Sequence, residues 1–116
     1  MPQGRGLEIR FFRTDAGAEP VRDWLRALPA NERLAIGGDI RLVQLGWPLG
    51  MPLVRKLEPD LWELRTRLQD RIARVVFTVE TEVVVLLHGF LKQSRKMPEH
   101  ELATARRRLR TYMESR

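Results

Sequence analysis

The chain has 116 residues, 43% hydrophobic and 31% charged, which suits one soluble globular domain over residues 1–116 with no room for a separate cofactor domain. Its formal charge of +6 points to an acidic partner, nucleic acid first, with a surface that only confers solubility as the plain alternative. The absence of cysteine excludes disulfides, thiolate zinc sites and a thiol nucleophile, and no segment approaches the roughly 18 apolar residues of a membrane span.

Residues 1–6 carry two glycines and a proline and read as a loose end. Residues 1–13 lack the apolar core of a signal peptide, so a cytoplasmic location is expected. Residues 7–13 alternate apolar Leu7, Ile9 and Phe11 with charged Glu8 and Arg10, the period of a half-buried strand. Val21, Trp24, Leu25 and Leu28 then share one face of a short helix, with Pro20 in its first turn. A second helix follows Pro29, with Asn31 as its expected N-cap, Ile36, Ile40 and Val43 as its apolar stripe, and Leu45-Gly46 as its end. Gly37-Gly38 inside it costs about 1 kcal/mol per glycine in helix propensity, so close packing against a neighbour is the expected reason for the pair.

Residues 47–52 form a loop rich in proline and glycine. Three strands are expected over residues 61–68, 72–80 and 83–92, joined by short turns and antiparallel in sequence order. The run 83–87 does not alternate, as befits a central strand covered on both faces. Pro98 suits the start of a last helix, whose N-terminal end Glu99 and Glu101 complement. Leu102, Ala105, Leu109 and Tyr112 or Met113 give that helix an inward stripe. Arg106, Arg107, Arg108 and Arg110 cover the rest, as solvated residues by default and as RNA contacts second. The expected fold is α+β, a twisted antiparallel sheet with helices packed on it, in the order β-α-α-β-β-β-α.

No P-loop, dinucleotide fingerprint or HExxH motif is present, and two histidines are too few for a multi-histidine metal site. The chemistry that remains is cationic. Side-chain alternation puts Glu63, Arg65 and Arg67 on one face of their strand, and Trp62, Leu64 and Thr66 on the other. Antiparallel pairing brings Arg65 or Arg67 near Arg74, with Lys92, Arg95 and Lys96 arriving from the end of the next strand. Such a face would neutralise phosphates and stabilise a pentacoordinate phosphate. Arg65 and Arg67 are also compatible with solvated positions paired to Glu63 or Glu58. Arg74, inside an apolar strand, requires a partner or water, and a functional and a structural role account for it equally well. His88 reads either as a proton-transfer group or as a satisfied histidine at the sheet edge. Trp24, Trp62 and Tyr112 read as packing.

Several of these segments together resemble a known family. They are Lys56-Leu57, Leu61-Trp62-Glu63-Leu64-Arg65, Arg74-Val75-Val76-Phe77, Leu87-His88-Gly89-Phe90-Leu91-Lys92, Lys96-Met97-Pro98 and Glu101-Leu102-Ala103-Thr104-Ala105, preceded by Pro20-Val21-Arg22-Asp23-Trp24-Leu25. In this order and spacing they resemble the RelE/ParE toxin superfamily, most closely its HigB-like, phage-derived branch. The resemblance covers residues 8–113. It implies a RelE-like fold and the toxin of a type II toxin-antitoxin system, a ribosome-dependent endoribonuclease that cleaves mRNA with no metal and no other cofactor. In that family the substrate 2′-hydroxyl attacks the adjacent phosphorus and a side chain protonates the leaving 5′-oxygen. Carried over, Arg65, Arg74 and Lys92 surround the phosphate, and His88 is a candidate for proton transfer. Lys56, Arg67, Arg71, Arg95 and Lys96 are candidates for the RNA backbone. The implied partners are the ribosome, mRNA and a cognate antitoxin, often of helix-turn-helix type, with neither a membrane nor a small-molecule cofactor.

The chain departs from RelE in two places. Leu61 and Glu63 stand where RelE carries lysines, and Met97-Pro98 occupies the region of its late tyrosine, which leaves the acid and base unassigned. A ParE-like inhibitor of DNA gyrase and an inactive prophage remnant that only binds its antitoxin would share the fold, so fold alone does not choose among the three.

Overall fold

The computed structural model describes residues 6–92 and 95–116, so the loose end expected over residues 1–6 lies, apart from Gly6, outside the described residues. The elements are β1 (Glu8–Phe11), α1 (Pro20–Arg26), α2 (Ala30–Gly46), β2 (Val54–Glu58), β3 (Leu61–Arg67), β4 (Ile72–Glu80), β5 (Val83–Lys92) and α3 (Glu99–Ser115). All five strands belong to one sheet, ordered β1-β5-β4-β3-β2. The α+β class holds, but the expected order and sheet type need two corrections. The order is β-α-α-β-β-β-β-α, because β2 is a further strand. The sheet is mixed, because β1 runs parallel to β5, with Glu8 opposite Val83 and Phe11 opposite Leu86.

Both corrections have physical causes. β2 lies at the sheet edge and its pairing with β3 slips between Lys56 and Glu58. A bulge breaks period two, and the neighbouring exposed Arg55 and Lys56 hide the alternation further while guarding the edge. The parallel partner of β1 lies 75 residues on (Glu8 to Val83), and local patterning carries no information about it. The α1–α2 pair carries the chain from β1 at one edge to β2 at the other. β2 to β5 then meander back.

The sheet is covered on both faces. One core holds Val54, Leu64, Val75, Phe77, Val84 and Leu86 against Val21 and Leu25 of α1 and Ile36 and Val43 of α2. The other holds Leu61, Val76, Val85, Leu87 and Phe90 against Ala105, Leu102 and Leu109 of α3. This two-sided burial explains the unbroken apolar run at the start of β5. Truncating a fully buried residue there, such as Leu86 to alanine, removes about 2–5 kcal/mol of stability. Trp47, from the loop after α2, packs edge-on against Trp62 at 5.2 Å and Phe77 at 5.5 Å between ring centroids.

A bulge in β5 positions the strand's second half. Phe77 pairs with Leu86 but Val76 pairs with His88, so Leu87 is the extra residue. Strict alternation from Val84 and Leu86 would send His88, Phe90 and Lys92 to the α1–α2 face. The bulge shifts the phase, and these residues join Leu87 on the α3 face instead. Gly89 is thereby turned to the α1 side, where an added Cβ would lie 2.4 Å from Trp24 Cε3. The glycine is what allows the indole to sit against the strand.

Two expectations for α2 are corrected. Its N-cap is Pro29, not Asn31, and no side chain caps it. The extended Pro29 (φ −56°, ψ 150°) already points its carbonyl at the amides of Glu32 and Arg33, which start the helix two residues earlier than expected. Among the described residues Gly37 and Gly38 pack against nothing, since both are exposed and an added Cβ would meet no atom within 4 Å. Burial of Ile36 and Val43 turns the glycines outward. No described helix is long and apolar enough to cross a membrane.

Candidate functional site

α3 covers only part of its sheet face. Beyond it, toward the Arg67 end of β3 and the Lys92 end of β5, the same face is cationic. Arg65 lies directly opposite Arg74 in the β3–β4 ladder, and Arg67 opposite Ile72. Lys92 lies opposite Ile72 from the other side, and Arg55 of β2 lies opposite Glu63. Residues directly opposite on neighbouring strands share a face, so Arg55, Arg65, Arg67, Arg74 and Lys92 gather on one surface around Glu63.

Like charges directly across a ladder repel, and Glu63 is the compensating group. Glu63 and Arg74 are both 0% exposed. Arg74 Nη1 donates to Glu63 Oε2 at 3.4 Å and to the Lys96 carbonyl at 3.4 Å. Arg65 Nε faces the other carboxylate oxygen, Oε1, at 3.9 Å, too far for a hydrogen bond. Neither Arg65 Nε nor Glu63 Oε1 has a hydrogen-bond partner among the described residues, though both atoms are buried. Burial pushes the Glu63 carboxyl above the usual carboxylate range, against the pull of Arg74, Arg65 and Arg55. Burial likewise lowers Arg74, against the pull of Glu63, but a guanidinium remains charged throughout the physiological range.

The surface is open to solvent. Arg55 and Arg67 are exposed, and Arg65 and Lys92 half-buried. A cleft runs along the β3 edge past the start of β2, lined by Asp39, Pro52, Leu53, Arg65, Arg67 and Ile72.

The remaining candidates divide. Arg95 and Lys96 are exposed just beyond the end of β5, and residues 93 and 94 between them and Lys92 lie outside the described residues. Arg71 turns away to Glu32 of α2, with Nη2 donating at 2.9 Å, and so ties the β3–β4 turn to the start of that helix. Lys56 lies on the opposite face, opposite Trp62 in register and with its Nζ 5.7 Å from that ring's centroid.

His88 shares the face of Arg74 but sits under α3. Its Nε2 bonds Glu101 Oε1 at 2.5 Å, and Arg108 Nη1 donates to its Nδ1 at 3.2 Å and to the Leu87 carbonyl at 2.9 Å. Because Arg108 can only donate, the network assigns the ring hydrogen to Nε2 and makes the imidazole neutral. Burial lowers its pKa below the ordinary imidazole value, partly offset by Glu101. Of the other arginines on α3, Arg106 clamps the helix to β2 through Glu58 at 2.7 Å.

Two residues of this arrangement escaped the sequence reading, and so did the burial of a third. Arg55 stands in the strand that was not expected. Arg108 looked like one of a row of solvated cations. Glu63 had a legible signal, since alternation already placed it on the face of Arg65. Nothing local marks it as fully buried.

The family comparison agrees with a phage origin. The model of the phage-derived Gp49-like proteins (DUF891) matches residues 23–110. The chain belongs to that family. Its match runs from Asp23 in α1 to Arg110 in α3 and so spans β2 to β5 and every cation of the open face. No curated protein matches the Gp49-like chain.

Proposed function

We propose that this Gp49-like protein is the toxin of a type II toxin-antitoxin pair, of the HigB-like branch of the RelE/ParE superfamily, and that it cleaves mRNA on the ribosome without a metal. Phage-derived Gp49-like proteins are often toxins of such pairs and are RelE-like in general. The observation that carries the catalytic part is Arg65 Nε, a buried donor with no acceptor among the described residues, beside Arg74 and on a face shared with Lys92. A buried donor without an acceptor costs free energy unless a ligand supplies one. A phosphodiester oxygen is the acceptor such a cationic surface selects.

In this reading the RNA 2′-oxygen attacks phosphorus and the bond to the 5′-oxygen breaks, leaving a cyclic 2′,3′-phosphate. Arg65 neutralises the charge that develops on the equatorial oxygens, a contribution of about 10²–10³ in rate for one such donor, while the fully buried Arg74 adds its positive field from beneath the surface. Lys92 holds the phosphate from the β5 side, and Arg55, Arg67, Arg95 and Lys96 hold the flanking backbone. Proton transfer by His88 requires α3 to release one of the two bonds on its ring. A cognate antitoxin that lays acidic side chains over this face would silence it.

The test is controlled expression in a bacterial host, followed by primer extension on abundant mRNAs. Arrest of translation with new 5′ ends inside coding regions is expected. Arg65→Ala combined with Lys92→Ala should relieve it at equal levels of folded protein, since neither residue fills the core. Normal translation in cells that accumulate the folded wild type overturns the proposal. DNA damage and altered supercoiling without new mRNA ends would identify a gyrase inhibitor instead.

A further inference from the structure

We infer that Glu63 is a positioning residue of this site, a buried carboxylate that holds Arg74 and Arg65 in the geometry that receives a phosphate. The inference rests on the RNA reading above and deepens it.

Three observations carry it. First, the carboxylate is enclosed by the cations on its own face. Arg74 lies at 3.4 Å from one oxygen, Arg65 at 3.9 Å from the other, and Arg55 directly opposite in the β2–β3 ladder. Second, the contacts are loose. A charge-assisted hydrogen bond is about 2.7–2.9 Å long, and an arginine and a carboxylate optimised for each other form two of them. Glu63 forms no such fork; it splits its two oxygens between two arginines at longer range. Third, its Oε1 and the facing Arg65 Nε are both buried and both lack a partner among the described residues.

A carboxylate that served only to neutralise Arg74 would have no reason to leave one oxygen facing a second guanidinium at 3.9 Å. The spacing fits a shared anion instead. In the free protein Glu63 offsets the repulsion among arginines that pairing forces together. When a phosphate arrives, Arg65 is able to turn its Nε–H to the new oxygen without breaking a hydrogen bond, and Glu63 continues to orient Arg74.

A positioning role separates turnover from binding. The experiment is single-turnover cleavage of a defined mRNA on purified programmed ribosomes, with the protein in excess, for wild type, Glu63→Gln and Glu63→Asp. Thermal melts give the folded fraction of each. Glu63→Gln leaves Arg74 buried without its carboxylate, so Glu63→Asp, which keeps the charge one methylene shorter, decides the matter if the first variant does not fold. The expected result is a fall of about 10²-fold in the maximal rate for a misaligned guanidinium. The concentration for half-maximal rate should stay unchanged in Glu63→Asp and drop in Glu63→Gln, which removes a negative charge beside the RNA. A folded Glu63→Asp that cleaves at the wild-type rate overturns the inference alone. So does a loss of cleavage that follows the loss of folded protein. A wild type that leaves the mRNA intact overturns the RNA reading and this inference with it.

Discussion

One face of the sheet carries two charged clusters, and they are built in opposite ways. Under α3, His88, Glu101, Arg108 and the Leu87 carbonyl form a closed set in which each bond is 3.2 Å or shorter. At the uncovered end, Glu63, Arg65 and Arg74 stand 3.4–3.9 Å apart, with a buried donor and a buried acceptor left facing each other. Both clusters lie in half-buried to fully buried surroundings, so dielectric alone does not distinguish them. What differs is completeness. A network whose donors and acceptors match is a structural lock, whereas a surplus of donors beside open solvent has capacity for a ligand. The lone histidine, which reads from sequence either as a proton-transfer group or as a satisfied histidine at the sheet edge, belongs to the lock.

The largest contrast lies inside the open cluster itself. Arg74→Ala leaves the Glu63 carboxylate buried against its main partner's absence, and loss of one member of a buried pair costs about 3–5 kcal/mol. Arg65, held among the described residues only by a 3.9 Å contact, should cost less than about 1 kcal/mol when replaced by alanine. Urea unfolding of the two variants measures the difference. Cleavage should rank differently, with Arg65→Ala severely impaired while still folded. Equal stability losses for the two would mean that Arg65 is as much a part of the core as Arg74, and that the open cluster is not open.

How much of this was legible follows from which forces are local. β4 and β5 were read from sequence with the bounds they have, because buried strands carry dense apolar runs ended by turn residues. The meeting of Arg65 or Arg67 with Arg74 followed from alternation plus one short turn, and the register selects Arg65. β2 was not legible, because an edge strand with a bulge and two adjacent exposed cations has no period. Neither was the bulge at Leu87, which sends Lys92 to the face of Arg74; a shift of phase leaves no mark in composition. The fate of each cation depended on partners distant in sequence. Arg71 is claimed by Glu32, Arg106 by Glu58 and Arg108 by the His88 ring, whereas, among the described residues, Arg65 keeps a buried Nε that no carboxylate claims in full.

Both clusters depend on the strand that joins them, and Gly89 tests that dependence. It sits between His88 and Phe90 and faces Trp24 across the sheet, where a Cβ would come within 2.4–2.9 Å of three indole atoms. Gly89→Ala should destabilise by about 1–3 kcal/mol through overpacking. Because the strain falls on β5 and α1, it should weaken the α3 lock and the cationic surface together, read as lower melting temperature and weaker binding of single-stranded RNA. Trp24→Leu in the same chain should recover part of the melting temperature by making room for the methyl group. Failure of that rescue would place the source of the strain elsewhere.

The smallest expected effect separates the clusters by the sign of their pH dependence. His88 has its pKa lowered in the folded state from the ordinary 6.5, chiefly by burial. The unfolded chain therefore takes up the proton first as pH falls, so the stability His88 contributes is present above about 6.5 and is lost as pH falls through the lowered value. Protonation also gives Nδ1 a hydrogen where Arg108 now donates, so α3 is the element that loosens. Glu101 and His100 on α3 face the same ring and modulate the effect in opposite senses. Glu63 runs the other way. Its carboxyl is raised above 4.5, so its contribution is present below that value and is lost as pH rises through the raised one. Urea unfolding between pH 5 and 8 should show wild-type stability rising with pH across the histidine range. His88→Gln, which keeps hydrogen-bonding groups but does not titrate, should flatten that limb and leave the Glu63 limb in place. If His88→Gln retains the full wild-type slope, His88 is not the titrating part of the lock, and the distinction between a closed and an open cluster loses its thermodynamic half.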